Sequence, residues 1–182
     1  AGITSVEHGF NLGEETLRLM QEHGVWLVDT TFAEGSIDMA NPANVKRWLK
    51  RLRMAYDLGV KIAYGSDIFW HVPSRTRADL ALDGTQSYVL AEIPNSDILK
   101  FITLNGAKVM GIEGETGSIE IGKSADIIAL DKNPLDDIEA LRTTSFVMKE
   151  GAIYKQDGVY QFEPTGFGQI GNAVGRHHAI KW

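Results

Sequence analysis

A chain of 182 residues, 43% apolar and 23% charged, has the composition of a folded globular protein with a real core. Its net charge of −6 argues against nucleic acid as a partner, since phosphate binding needs a basic surface. The absence of cysteine excludes disulfides and thiolate metal sites, leaving any metal to histidine and carboxylate ligands. No run reaches the roughly 18 apolar residues that span a bilayer, so no membrane role is expected. No signal peptide is visible. Because the chain opens on Ala1 rather than methionine, the compartment is left open, with the cytoplasm slightly favoured.

The first residues, Gly2 to Gly9, form a short β-type run that ends on a polar residue and a glycine. A helix is predicted from about Glu14 to His23, with Glu14 and Glu15 in its positive first turn and Gly24 as its cap. Val25 to Thr31 is the next strand, and its near-continuous apolar run suits a strand covered on both faces. Asn41 is an N-cap and Pro42 a first helical residue. Val45, Trp48, Leu49, Leu52, Ala55 and Tyr56 then follow three/four spacing until Gly59. Lys46, Arg47, Lys50, Arg51 and Arg53 of this helix read as a solvated face.

A third strand, Val60 to Asp67, ends on an acid. An irregular segment comes next, then helices near Gln86 to Ile93, Asp97 to Ile102 and Leu104 to Met110. Strand and helix alternate, which implies right-handed crossovers and a parallel sheet. From Gly111 the pattern changes to short β-rich runs at 127–130, 145–148 and 152–154, with Lys149-Glu150-Gly151 as a hairpin connection. Asn133-Pro134 is a turn, and 136–141 a short helix. The expected division is an α/β part over 1–111, a small β segment over 112–163 and an irregular tail over 164–182.

In parallel α/β folds, functional residues gather at the C-terminal ends of strands. His8 closes the first strand and Asp67 the third, and these are the two ligand types open to a cysteine-free protein. Taken as residues alone, each has a plainer reading. A strand-end histidine is often a structural hydrogen-bonding group, and Asp67 can cap the loop after it.

Four segments carry a family resemblance: Ser5-Val6-Glu7-His8-Gly9, Gly59 to Asp67, Ile102 to Gly111, and Gly117 to Asp131 with Asn133-Pro134-Leu135. In this order they resemble the amidohydrolase superfamily, in its imidazolonepropionase and Xaa-Pro dipeptidase (prolidase-like) branch. The first two look like that branch's strands six and eight, the third like the helix that follows, the fourth like the return into its β-sandwich. The resemblance implies the last three strand–helix units of a (β/α)8 TIM-type barrel plus part of a small β-sandwich. It also implies a C-terminal portion of a metal-dependent hydrolase of C–N bonds, acting on a dipeptide or cyclic amide. His8 and Asp67 are then metal ligands, with Asp67 also taking a proton from the hydrolytic water. The expected cofactor is zinc or a similar divalent metal, one or two ions. The family's remaining ligands lie on strands before the sixth, so the chain by itself is expected to be incomplete for catalysis.

Three further residues border the expected mouth. His71 and Trp70 lie in the loop after Asp67 as candidate substrate contacts, against a packing role. Arg75, with Arg77, is a candidate for binding a substrate carboxylate, against a plain surface charge. Asp126 is assigned a structural hydrogen-bonding role. The partner expected is a small molecule, together with self-association or a second chain covering the open sheet edge. The competing reading is a non-catalytic assembly module, or one half of a split barrel.

Overall fold

The computed structural model describes residues 2–30, 41–68, 72 and 75–161. Strands β1 (Ser5–Glu7), β2 (Trp26–Asp29) and β3 (Lys61–Tyr64) form a parallel sheet in that order. Leu27 pairs with Val6 on one side and Ile62 on the other. Helix α1 (Glu14–Glu22) crosses from β1 to β2, and α2 (Pro42–Asp57) precedes β3. Both helices form as expected. Arg18 and Glu14 pair at 2.6 Å across one turn of α1, which buries Leu17 and Met20. The Asn41 side chain accepts from Ala43 N–H at the start of α2, with Pro42 behind it.

Sheet and helices close on a core in which Leu17, Leu27, Leu52, Ile62, Tyr88 and Ile98 are fully buried. The charged face of α2 is not wholly solvated. Arg51 is only 3% exposed and binds the carboxylate of Asp29, itself 0% exposed, at 2.6 Å. Arg51 lies three residues after Trp48 and four before Ala55, so helical geometry puts it on the buried stripe despite its charge.

The segment after Asp67 is less irregular than its sequence suggests. It contains α3 (Arg77–Gly84), opened by a reciprocal cap in which Thr76 Oγ1 accepts from Asp79 N–H and Asp79 accepts from Thr76 N–H. Helix α4 (Gln86–Leu90) is shorter than expected, because Glu92 at φ 57° turns the chain away. Helices α5 (Asn95–Ile102) and α6 (Leu104–Met110) follow. The Asn105 side chain donates to the Ile62 carbonyl at 2.8 Å, covering part of the outer edge of β3.

Beyond Gly111, in the left-handed conformation that ends α6, lies an antiparallel sheet of β4 (Ile127–Leu130), β5 (Thr144–Lys149), β6 (Ala152–Gln156) and β7 (Val159–Tyr160). Glu150 and Gly151, both at positive φ, make the β5–β6 hairpin turn. The expected short helix is a 3₁₀ turn over Ile138–Thr143 that sends Ile138 and Leu141 into the common core. Arg142 pairs with Asp83 at 2.7 Å and Asn95 donates to the Leu135 carbonyl, tying this turn to the α/β part. The expected tail, 164–182, lies outside the described residues. No helix among the described residues is long and apolar enough to cross a membrane.

Asp126, just before β4, accepts from Glu150 N–H at 2.8 Å and from Thr116 Oγ1 at 3.0 Å, a structural role. The Glu150 N–H, helped by the Thr116 hydroxyl, holds the Asp126 carboxyl below the ordinary carboxylate range. With the folded-state pKa depressed, its stabilisation is present above the unfolded pKa and is lost as pH falls through the folded one. Asp126→Asn is therefore expected to flatten the acid limb of a melting-temperature profile below about pH 4, the ordinary carboxylate pKa. An unchanged acid limb would contradict this.

Candidate functional site

The C-terminal ends of the three parallel strands bring His8, Thr30 and Asp67 to one edge of the sheet. His8 follows β1 directly, its N–H donating to the Val28 carbonyl at 3.1 Å and so extending the ladder with β2. The chain then turns at once: Gly9 N–H donates back to the Glu7 carbonyl at 2.8 Å, with His8 at φ 63°. A three-residue turn around a positive central φ is rare and strained. Gly9, at φ 58°, completes it, and a Cβ there would lie 2.6 Å from Leu12 and 2.9 Å from Leu27. Only glycine fits.

Asp67 comes three residues after β3 and also holds a positive φ, 42°. The other described non-glycine residues of this kind are Glu92, at a helix end, and Glu150 and Asp157, in hairpin turns. His8 and Asp67 instead stand just past the ends of two parallel strands, and strained backbone of this sort clusters at functional sites. Their side chains converge, with His8 Nδ1 3.8 Å from Asp67 Oδ2, and each is about half exposed.

The surroundings hold this pair in place. Thr30 Oγ1 lies 2.8 Å from His8 Nδ1. The Phe10 ring sits 5.8 Å from the His8 ring and 4.8 Å from Trp48 of α2. Beneath them the Asp29–Arg51 pair joins β2 to α2. Gly65 lets the end of β3 approach β2, since a Cβ there would meet Val28 Cγ1 at 3.0 Å and Thr30 Cγ2 at 3.1 Å. Gly65→Ala is accordingly expected to cost about 1–3 kcal/mol by overpacking, read from urea unfolding. Stability equal to the parent would show that the strand ends yield freely.

The donor set fits a zinc-type ion in kind, an imidazole and a carboxylate. It is two donors: no group of three or more His, Cys, Asp or Glu able to hold a metal occurs among the described residues. Trp70 and His71 lie outside the described residues. Arg75 binds Asp83 at 2.6 Å, and Asp83 is shared with Arg142. Sequence reasoning missed Thr30 and the Asp29–Arg51 pair. An acid inside the apolar run of β2, and an arginine in register with Trp48 and Ala55, were the available signals.

The amidohydrolase family model matches residues 1–155. Ochratoxinase from Aspergillus niger is 28% identical over 175 residues, covering 87% of this chain and 35% of its own length. Imidazolonepropionase from Symbiobacterium thermophilum is 30% identical over 132 residues, 71% of this chain and 28% of its own. Among solved structures, a Xaa-Pro dipeptidase crystallised with methionine in its active site is similar with a TM-score of 0.70. It shares 29% identity over 85% of this chain and 40% of that one. The chain thus spans about a third of the length of the curated relatives it matches.

Proposed function

The chain belongs to the amidohydrolase family, and on that premise we propose that it supplies His8 and Asp67 to the metal centre of a hydrolase that cleaves an amide-type C–N bond. The observation that carries this reading is the convergence of an imidazole and a carboxylate from two strand ends, each on strained backbone. In this reading the three strand–helix units are the last three of a (β/α)8 barrel. Residues 1–111 form the barrel part and 112–163 part of a small β-sandwich.

A bound divalent ion, zinc by its ligand types and present as one or two ions, would polarise the scissile carbonyl and make the attacking water more acidic. His8 would hold the ion through a ring nitrogen. Asp67 would help hold it through its carboxylate and would accept the proton of the attacking water, a task suited to a carboxylate at the open mouth. Trp70, His71 and Arg75 are assigned to the substrate side. A substrate carboxylate reaching Arg75 would compete with Asp83, which favours a dipeptide-like substrate only if that pairing yields. A dipeptide or cyclic amide is the proposed substrate class, and a further segment or chain is proposed to cover the outer edge of β1.

The test is metal content and amide hydrolysis in the complete protein. His8→Ala is expected to lower the bound metal severalfold and abolish hydrolysis. Wild-type metal content and rate in this variant would remove the proposal.

A further inference from the structure

Thr30 is a buried polar residue one position past β2, 4% exposed, whose only hydrogen-bonding side-chain atom faces the candidate ligand His8. Its place is closely set. Its methyl abuts Gly65, where a Cβ would come within 3.1 Å, and its neighbour Asp29 is locked to Arg51 at 2.6 Å. A hydroxyl in that position either donates to Nδ1 of His8 or accepts a proton from it. The carboxylate of Asp67, 3.8 Å from the same nitrogen, decides between them, because negative charge favours an N–H over a lone pair there.

We infer that Thr30 is a positioning residue: it accepts a hydrogen bond from His8 Nδ1–H, fixing the ring plane and the tautomer that leaves the Nε2 lone pair for a divalent cation. This rests on the reading of His8 as a metal ligand. The partner of a ligating imidazole sets which nitrogen can bind, and loss of such a partner typically weakens metal binding by about 10–100-fold.

The experiment uses the metal-stripped complete protein, titrated with zinc against a chromophoric chelator. Thr30→Val keeps the shape and removes the hydroxyl, and is expected to weaken zinc binding by about 10–100-fold. Thr30→Ser keeps the hydroxyl and is expected to bind like the parent. Imidazole nitrogen NMR of the metal-free wild type, with His8 assigned through His8→Ala, is expected to show the proton on Nδ1. A proton on Nε2 overturns the inference, and this measurement decides alone if Thr30→Val does not fold. Parental zinc affinity in Thr30→Val overturns it too when His8→Ala has lost zinc, as does a Thr30→Ser variant as weak as the valine one. Parental affinity in His8→Ala instead brings down the ligand reading itself, and this inference with it.

Discussion

Arg51→Met is expected to destabilise the protein by about 3–5 kcal/mol, the range for breaking a buried ion pair by removing one partner. The guanidinium and the Asp29 carboxylate are both out of water, 3% and 0% exposed, and meet at 2.6 Å. Their attraction offsets a desolvation cost of several kcal/mol per ion. Removing the cation leaves that cost on Asp29 with its main compensation gone. Replacing both, as Asp29→Leu with Arg51→Met, is expected to recover most of the loss, because apolar groups of similar volume carry no such cost. Urea unfolding of the parent, both single variants and the double variant forms the cycle that isolates the coupling. A single variant within about 1 kcal/mol of the parent, the net worth of an ordinary hydrogen bond, would show that water reaches the pair.

In the complete protein, Asp67→Asn is expected to lower kcat for amide hydrolysis by about 10²–10⁴-fold, the usual contribution of a positioned proton acceptor. Asparagine keeps the size of the side chain and one ligating oxygen but cannot take up a proton at neutral pH. Metal content should fall much less than in His8→Ala, and KM should change little, since no substrate contact is assigned to Asp67. A kcat within a few-fold of the parent, with metal retained, would assign the proton to another group. The strained φ of 42° persists in this variant, because asparagine tolerates the left-handed region as aspartate does.

Much of the α/β part was legible in the sequence because its signals are local. Asn41-Pro42 opens α2, three/four spacing runs along it, and Gly59 follows it, all within one stretch of chain. The apolar run around Leu27 marks a strand with covered faces for the same reason, although only Leu27 and Asp29 are buried and Trp26 and Val28 are half-buried. Helix α3 was missed although its cap, Thr76 with Asp79, stands in the sequence; its weak apolar periodicity hid it. The 3₁₀ turn at Ile138–Thr143 was offset by two residues, since its position follows the burial of Ile138 and Leu141 rather than a local period.

For the site, strand-end position and family order together picked out His8 and Asp67, 59 residues apart, but could not bring them together. Register decided that: β1 pairs with β2 and β2 with β3, all parallel, so three separate strand ends open on one edge. The restriction of any metal to histidine and carboxylate ligands, the alternation of strands and helices, and the glycines that let the chain turn at its strand ends were set by the sequence itself. The burial of Arg51 against Asp29 and the contact of Thr30 with His8 were decided only in the folded chain. Each joins residues 22 positions apart, and whether a polar group is solvated or paired depends on what the rest of the fold places beside it.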